Sequence, residues 1–462
     1  MAKDVAAVVL AAGKGTRFRS DLAKVLHRAA GRTLVGHVLE ALRPLDLGQV
    51  LVVVGHQADA VTAEVQAAGL PDVGTVLQAE QRGTGHAVEV ALPALEAGIE
   101  RVMILPGDTP LLTAGTLERL VAATHEGRAA MLTAELGDPT GYGRVLRDDA
   151  GRVVRVVEER DASTEQRAIP EINAGMYVLP RGPLETAIGE LDDDNAQGEL
   201  YLTDVVEALH RTGHRVAPVV ADEREIAGVN DRRQLADTAA ELRRRHLDHL
   251  MVEVGVSVLD PVTTHVDVDV EVARDAVLLP GTLLDQGTRI GERAVVGPNS
   301  HLSACVVEAD ATVHSTRGEG AVVGPHAQVG PFAHLRAGTH LGARAKVGAY
   351  AETKNARIGA GSKIPHLAYV GDATVGAGVN VSCGVITVNY DGKVKSQTTI
   401  EDGAFVGCDT MLVAPVTIGA GAYTAAGSTI TDDVPPGALA IARSRQTVKE
   451  GWRARREAEG RG

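Results

Sequence analysis

The chain has 462 residues, enough for two or three domains with a sizeable core in each. Acidic residues outnumber basic ones by 60 to 46, and the net charge of −14 argues against a nucleic-acid binder while leaving small anionic substrates open. Three cysteines without C-x-x-C spacing (Cys305, Cys383, Cys408) indicate neither a disulfide framework nor a zinc site. No stretch reads as a signal peptide or membrane span, so a soluble cytoplasmic protein is expected.

Residues 5–230 alternate apolar runs with amphipathic segments. Val5–Leu10, Val50–Val54, Val73–Gln78 and Arg101–Leu105 read as buried strands, and Leu34–Leu42 reads as a helix between two of them. That alternation predicts an α/β domain, an open doubly wound sheet of Rossmann-like type, which binds ligands at the carboxyl ends of its strands.

The first strand end delivers Leu10, Ala11, Ala12 and Gly13 in the run LAAGKGTR (10–17), and Lys24 follows. Gly13 and Gly15 leave backbone N–H groups open to phosphate oxygens, while Arg17 and Lys24 bring full positive charge. The spacing is not that of a Walker loop, and Phe18 stands where a GxGxxG motif needs its third glycine. Alone, the run reads equally as a tight turn with surface cations. Later strand ends add QAEQRGTGHA (78–87), LPGD (105–108), TGYGR (140–144), Glu158 and EINAG (171–175). The amides and hydroxyls of the first suit a base edge and a ribose, and the last three can ring sugar hydroxyls. Asp108 is a hard oxygen donor at a strand end and Asn230 offers a second, though each singly is as readily a turn residue or helix cap.

Residues 231–251 lack Gly and Pro, and Leu235, Ala239, Leu242, His246 and Leu250 recur at helical spacing, which predicts a long connecting helix. From residue 252 the rhythm changes to a period of six. Val266, Val272, Leu278, Leu284, Ile290, Val296 and Leu302 keep it unbroken. It resumes at Val323, Val329, Leu335, Leu341 and Val347, slips near Thr353, and returns at Ile400, Val406, Leu412, Ile418 and Ile430. Glycine often follows the apolar position, as at Gly291, Gly297, Gly342 and Gly348. A stack of short strands turning every six residues, a parallel β-helix, produces this beat, and an aromatic content of only 2% fits its narrow aliphatic core. The basic tail beyond Pro436, with Trp452, reads as a final helix or a loose arm.

Within residues 333–443, side chains that the repeat does not need are crowded together. Arg336 and Lys354 stand at or beside inward positions, IPHLAYVGD brings His366 and Tyr369, and residues 379–395 break the rhythm with Asn380, Asn389 and Tyr390. Such a polar excursion is costly to order unless it builds a site.

Taken in order, the LAAGKGTR loop, Lys24, QAEQRGTGHA, PGD, TGYGR and EINAG resemble sugar-nucleotide pyrophosphorylases. With the hexapeptide half attached, residues 5–455 resemble the bifunctional N-acetylglucosamine-1-phosphate uridylyltransferase / glucosamine-1-phosphate N-acetyltransferase family. The resemblance implies a left-handed β-helix and a domain division of 1–230, linker 231–251 and 252–462. It implies UTP phosphates and base on Leu10, Ala11, Ala12, Gly13, Lys24, Gln78, Gly83 and Thr84, and the amino sugar on Gly143, Glu158 and Asn173. Asp108 and Asn230 would hold Mg²⁺. Arg336 and Lys354 would take the phosphate of glucosamine-1-phosphate, with Tyr369 and Asn380 on its sugar. Acetyl-CoA would run along Cys383, Asn389, Tyr390, Cys408, Ala426 and Arg443, with His366 as general base. It further implies a homotrimer with no nucleic-acid or membrane partner, and a product that feeds peptidoglycan and lipopolysaccharide synthesis. Ala23 departs from the family, which usually has Pro there, so a slightly looser Lys24 loop is expected. Cys383 and Cys408 read as small packed residues, with no partner base apparent in the sequence, so direct acetyl transfer is expected. Two alternatives stand beside this reading: a single-activity pyrophosphorylase with a regulatory β-helix, and a non-catalytic regulatory subunit. His366, Lys354 and the excursion speak against the first, and the intact loop with Lys24, Asp108 and Asn230 against the second.

Overall fold

A computed structural model describes residues 2–124 and 128–461. The chain divides into two compact units, Met1–Leu242 and Arg243–Gly462, and the division falls inside the helix Arg232–His249.

The first unit is built on a mixed sheet. Its strands are β1 (Ala2–Leu10), β2 (Leu47–Val54), β3 (Val73–Leu77), β4 (Arg101–Pro106), β5 (Ala129–Glu135), β6 (Arg144–Arg147), β7 (Val153–Val157), β8 (Glu171–Pro180) and β9 (Val216–Val220). The order across the sheet is β9-β5-β8-β4-β1-β2-β3, with the β6–β7 hairpin attached to the start of β8. β1 pairs in parallel with β2 and β4, and Val5–Val9 are wholly buried between helices on both faces. This is why the run reads as continuously apolar rather than alternating. The four predicted strands and the helix Leu34–Leu42 are all present. The sheet is not uniformly parallel, however: β8 runs antiparallel to both β4 and β5. The EINAG run, which reads as a site loop, is the first half of that strand, so its polar residues are held in the sheet.

The second unit is the parallel β-helix. Its strands are mostly two or three residues long, stacked into an 11-stranded and a 17-stranded sheet. Leu284 pairs with Leu302 in the next coil, eighteen positions on, so each coil carries three beats of six. The slips are sides shortened to five residues, as from Leu302 to Val307 and from Val313 to Gly318, and all of these residues stay inside. The beat that is lost near Thr353 continues through Thr353, Ile358, Ile364, Val370, Val375, Val381 and Thr387, all buried. Threonine takes inward places because its hydroxyl finds a partner there: Thr353 and Thr339 share a buried hydrogen bond of 3.1 Å. The tail forms a fully exposed helix, Trp452–Ala458, with Arg456 lying over the Trp452 ring at 5.2 Å.

Close stacking of coils leaves no room for some side chains. A Cβ on buried Gly348 would run into the Pro365 carbonyl of the next coil, whereas Gly115, in the helix Ala114–Ala122, faces open space. Gly348→Ala is therefore expected to destabilise the β-helix by about 2–3 kcal/mol. Gly115→Ala is expected to stabilise the first unit by about 0.5–1 kcal/mol. Chemical unfolding of the two variants checks both signs.

Candidate functional site

The carboxyl ends of the parallel strands open onto a cavity of about 490 Å³. Leu10, Ala11, Ala12, Gly13, Lys24, Gln78, Gly83, Thr84, Asp108, Glu158 and Asn173 line it, so the structure gathers these predicted residues from six separate stretches of chain. A side chain on Gly13 would meet nothing within 4 Å, so the backbone there is open to a ligand. Gly15 serves a different end. It has φ +62°, and a Cβ there would stand 2.5 Å from the Lys24 Cβ, so its bareness lets Lys24 lie against the loop.

Lys24 is the hub of this mouth. Its ammonium is ion-paired with Asp108 and donates to Asn230 Oδ1 at 2.8 Å, and Arg17 Nη2 reaches the same oxygen at 2.9 Å. The Val229 N–H donates to the Asp108 carbonyl at 2.9 Å, which ties the two oxygen-bearing loops together. Arg17 and Asn230 thus stand with Asp108 although neither lines the cavity. Ala23 begins the turn that carries Lys24. Ala23 is only 1% exposed and its N–H is hydrogen-bonded to Gln57 Oε1 at 2.9 Å.

On the opposite wall, Glu158 accepts from the Thr203 hydroxyl at 3.1 Å, and burial raises its carboxyl above the ordinary range. Gly143 packs beneath it, with the position of its absent Cβ 3.6 Å from the Glu158 oxygens, and the Gly143 carbonyl accepts from the Asn173 N–H at 2.8 Å. Gln78 is held by the Gly83 carbonyl at 3.2 Å and by His86 Nδ1 at 3.1 Å.

Several cavity residues were not legible in the sequence. Gln81, inside the quoted QAEQRGTGHA run, donates to the Ala12 carbonyl at 2.6 Å. Tyr177 lies on β8, and Glu199, Leu202 and Thr203 arrive on residues 199–203, a stretch with no motif. Its one sequence signal is indirect. Gly83 has φ +113°, and a Cβ there would stand 2.5 Å from the Leu200 carbonyl oxygen, so glycine permits the close approach.

In the β-helix, register aligns residues far apart in sequence. Lys363, Asn380, Phe405 and Tyr423 pair in successive coils of the 11-stranded sheet. Three positions beyond each stand His366, Cys383, Cys408 and Ala426, which therefore form one column along an edge, with Arg443 near its end. The imidazole that the sequence hides from Cys383 is thus one coil away. His366 and Cys408 are exposed and Cys383 is half-buried, while burial pushes up the thiol of Cys305, which is enclosed.

The cations lie on the 17-stranded sheet. Leu335 pairs with Thr353, and the next residues along, Arg336 and Lys354, stand together. Arg336 binds Glu352 at 2.8 Å, which raises its pKa further. Contact with Lys395, the charge of Lys395 and that of Arg336 hold the Lys354 ammonium below its ordinary pKa, so the excursion contributes a third cation that the sequence did not single out. Tyr369 lies over Gly371, where a Cβ would meet its ring. Asn389 donates to Asp372, as Asn355 does at 2.7 Å, and Tyr390 bridges back to Lys395, so these two residues brace the excursion. Asn380 sits on the other sheet, one corner away from Tyr369.

Residues 7–171 match the model of the MobA-like NTP transferase domain. With an α/β cavity at the strand ends and a hexapeptide β-helix, the chain is a two-domain transferase. Bifunctional protein GlmU of Streptomyces avermitilis is 53% identical over 460 residues, covering 98% of this chain and 95% of that one. The GlmU proteins of Thermobifida fusca (52%, 97% and 94% covered) and Brevibacillus brevis (46%, 96% and 96% covered) are similar over the same span. The chain belongs to the GlmU family, and it carries nucleotidyltransferase and acyltransferase activity.

Beside the first cavity, Asp204 opens the helix Asp204–Arg211. Burial and then the charges of Glu207, Glu158 and Asp192 push its carboxyl up to about 6 from 3.8. The folded chain therefore holds a proton that the unfolded chain releases, and the stability this brings is present below about pH 4 and lost as pH rises through 6. Asp204→Asn should match wild type at pH 3.5. At pH 7.5 it should gain about 1–2 kcal/mol after allowance for solvent screening. Denaturant midpoints of both proteins at the two pH values test this.

Proposed function

We propose that the chain synthesises UDP-N-acetylglucosamine in two steps at separate sites. Acetyl passes from acetyl-CoA to glucosamine-1-phosphate on the β-helix. Uridylyl then passes from UTP to N-acetylglucosamine-1-phosphate in the α/β cavity, releasing pyrophosphate. Similarity to bifunctional relatives along 98% of the chain sets aside the single-activity and non-catalytic alternatives. The observation that carries the residue assignment is the convergence of Lys24, Arg17, Asp108 and Asn230 on one point at the cavity mouth.

In the first cavity the sugar phosphate attacks the α-phosphorus of UTP in line, a reaction limited by positioning and charge rather than by covalent chemistry. Lys24 and Arg17 neutralise the phosphates, Gly13 offers its backbone N–H, and Gln78, Gly83 and Thr84 take the base. Glu158 and Asn173, with Gly143 beneath, hold the sugar. Asp108 and Asn230 present two hard oxygens that already meet one cation, and this donor set fits Mg²⁺, which keeps several of its waters. A Mg²⁺ held there would supply further neutralisation of the triphosphate.

On the β-helix, Arg336, Lys354 and Lys395 cradle the phosphate of glucosamine-1-phosphate, and Tyr369 and Asn380 receive its sugar. The substrate amine is mostly ammonium at neutral pH, and only the free amine attacks a thioester. His366 removes that proton. Acetyl-CoA runs along the column of Cys383, Cys408 and Ala426 to Arg443, with Asn389 and Tyr390 at its flank. Transfer is direct. The expectation that both cysteines are packed inside the coils does not hold, since Cys383 is half-buried and Cys408 exposed on the outer edge of the β-helix. A homotrimer with acetyl-transfer sites between subunits, working in the cytoplasm where both co-substrates are made, completes the reading. Among the described residues no helix is long and apolar enough to cross a membrane.

Separate assays of pyrophosphate release and thiol release test the assignment. Lys24→Ala should lose about 10²–10³-fold in uridylyl transfer and keep acetyl transfer. Near-normal pyrophosphate release would remove Lys24 from the mechanism. His366→Ala should lose about 10²–10⁴-fold in thiol release alone. Should wild type release pyrophosphate but no thiol, the β-helix would be a scaffold.

A further inference from the structure

Gln57 lies outside the cavity, is exposed, and sits between β2 and the helix Ala58–Ala67 with φ +53°. Non-glycine residues reach that conformation at a cost of roughly 1–2 kcal/mol, so something in its surroundings offsets it. Both ends of its carboxamide are engaged on one short segment. Oε1 accepts from the Ala23 N–H at 2.9 Å and the Nε2–H donates to the Asp21 carbonyl at 2.8 Å. This is the pairing a neighbouring β-strand would make, supplied by a single side chain to residues two apart.

What the clamp holds is the segment that delivers Lys24. Ala23 is the residue from which the short 3₁₀ turn Lys24–Leu26 starts, and its carbonyl accepts the Leu26 N–H at 2.9 Å. The Lys24 side chain is held where its stem lies against Gly15 and its ammonium meets Asp108 and Asn230. Its backbone is tied on the C-terminal side by the turn, in which the Lys24 carbonyl accepts from the His27 N–H at 3.2 Å, and Gln57 holds the segment on the N-terminal side. We infer that Gln57 is a positioning residue for uridylyl transfer, holding the 21–23 segment so that the Lys24 ammonium is delivered to the phosphates. The inference rests on the phosphate role assigned to Lys24.

The conformations at both ends supply a test that separates positioning from folding. Glycine at position 57 removes both hydrogen bonds and relieves the left-handed backbone, so Gln57→Gly should unfold no earlier than wild type. Ala23 has φ −54° and ψ 136°, a conformation proline adopts, so Ala23→Pro fixes the same backbone covalently once the N–H no longer needs its partner. Gln57→Gly is expected to lower kcat for pyrophosphate release about ten- to a hundredfold, the scale of a misplaced catalytic group, with the KM for UTP changed less than about threefold. Acetyl transfer, measured on the same full-length protein, should be unchanged. The double variant Ala23→Pro/Gln57→Gly should recover most of the lost kcat. If Gln57→Gly keeps wild-type uridylyl turnover while Lys24→Ala loses it, the clamp is refuted and the role of Lys24 stands. A double variant as slow as the single one also refutes it. Normal turnover in Lys24→Ala would refute both together.

Discussion

The Lys24 ammonium is where the α/β unit concentrates its constraints. It is a compact charge on a flexible stem, and left free it would spread over many rotamers at a cost of up to about 2 kcal/mol to order. The fold removes that freedom in stages. Gly15 gives up its side chain so that the stem can lie on the loop, and Asp108 and Asn230 close on the head from two different loops. Those loops are in turn joined by the backbone bond from Val229 to Asp108. Asp108 comes from the end of β4, which pairs with β1, the strand that feeds the Gly13–Gly15 loop. The fully buried core of β1 therefore fixes the distance between a cation and its counter-ion several residues beyond it.

The β-helix reaches the same end by simpler means. A parallel ladder holds equivalent residues of successive coils about 4.8 Å apart, without any side-chain contact to arrange it. His366, Cys383, Cys408 and Ala426 are spaced irregularly in sequence, by 17, 25 and 18 positions, yet they stand one above another. The long interval is the excursion of residues 389–397, which leaves the coil and returns to it without disturbing the register. A long, narrow ligand is matched by such an edge, because its length is met by the number of coils and its ends by what the last coils carry.

This contrast explains what could be read from the sequence. The inward beat is legible because one aliphatic residue per side is all the core admits, and it disappears where threonine satisfies its own hydroxyl, as at Thr353 and Thr387, or where glycine takes the place, as at Gly318. The glycine-rich strand ends are legible because backbone is left open there, as at Gly13, or must admit a close neighbour, as at Gly15 and Gly83. The antiparallel direction of β8 is not, since direction is set by connections rather than by composition. Thr203 and Glu199 are hidden for a related reason. They reach the cavity because Leu200 packs its backbone on Gly83, and that contact leaves a mark only on the glycine. The neighbourhood of His366 and Cys383 is likewise a product of register, which a list of residues does not contain.

The two sites also handle charge differently, and the difference bears on how each meets an anion. In the α/β cavity the cation is already neutralised, Lys24 by Asp108, so on the proposed reading a phosphate would compete for a partner that the free chain possesses. On the β-helix Lys354 faces Lys395 and Arg336, and this repulsion holds its ammonium below the ordinary pKa. On the proposed reading, a phosphate dianion placed among the three cations would offset this mutual repulsion. The repulsion is then relieved on binding instead of being added to its cost. A chain carrying a net −14 can thus present a locally cationic surface, because attraction is decided by the charges within a Debye length of about 8 Å and not by the total.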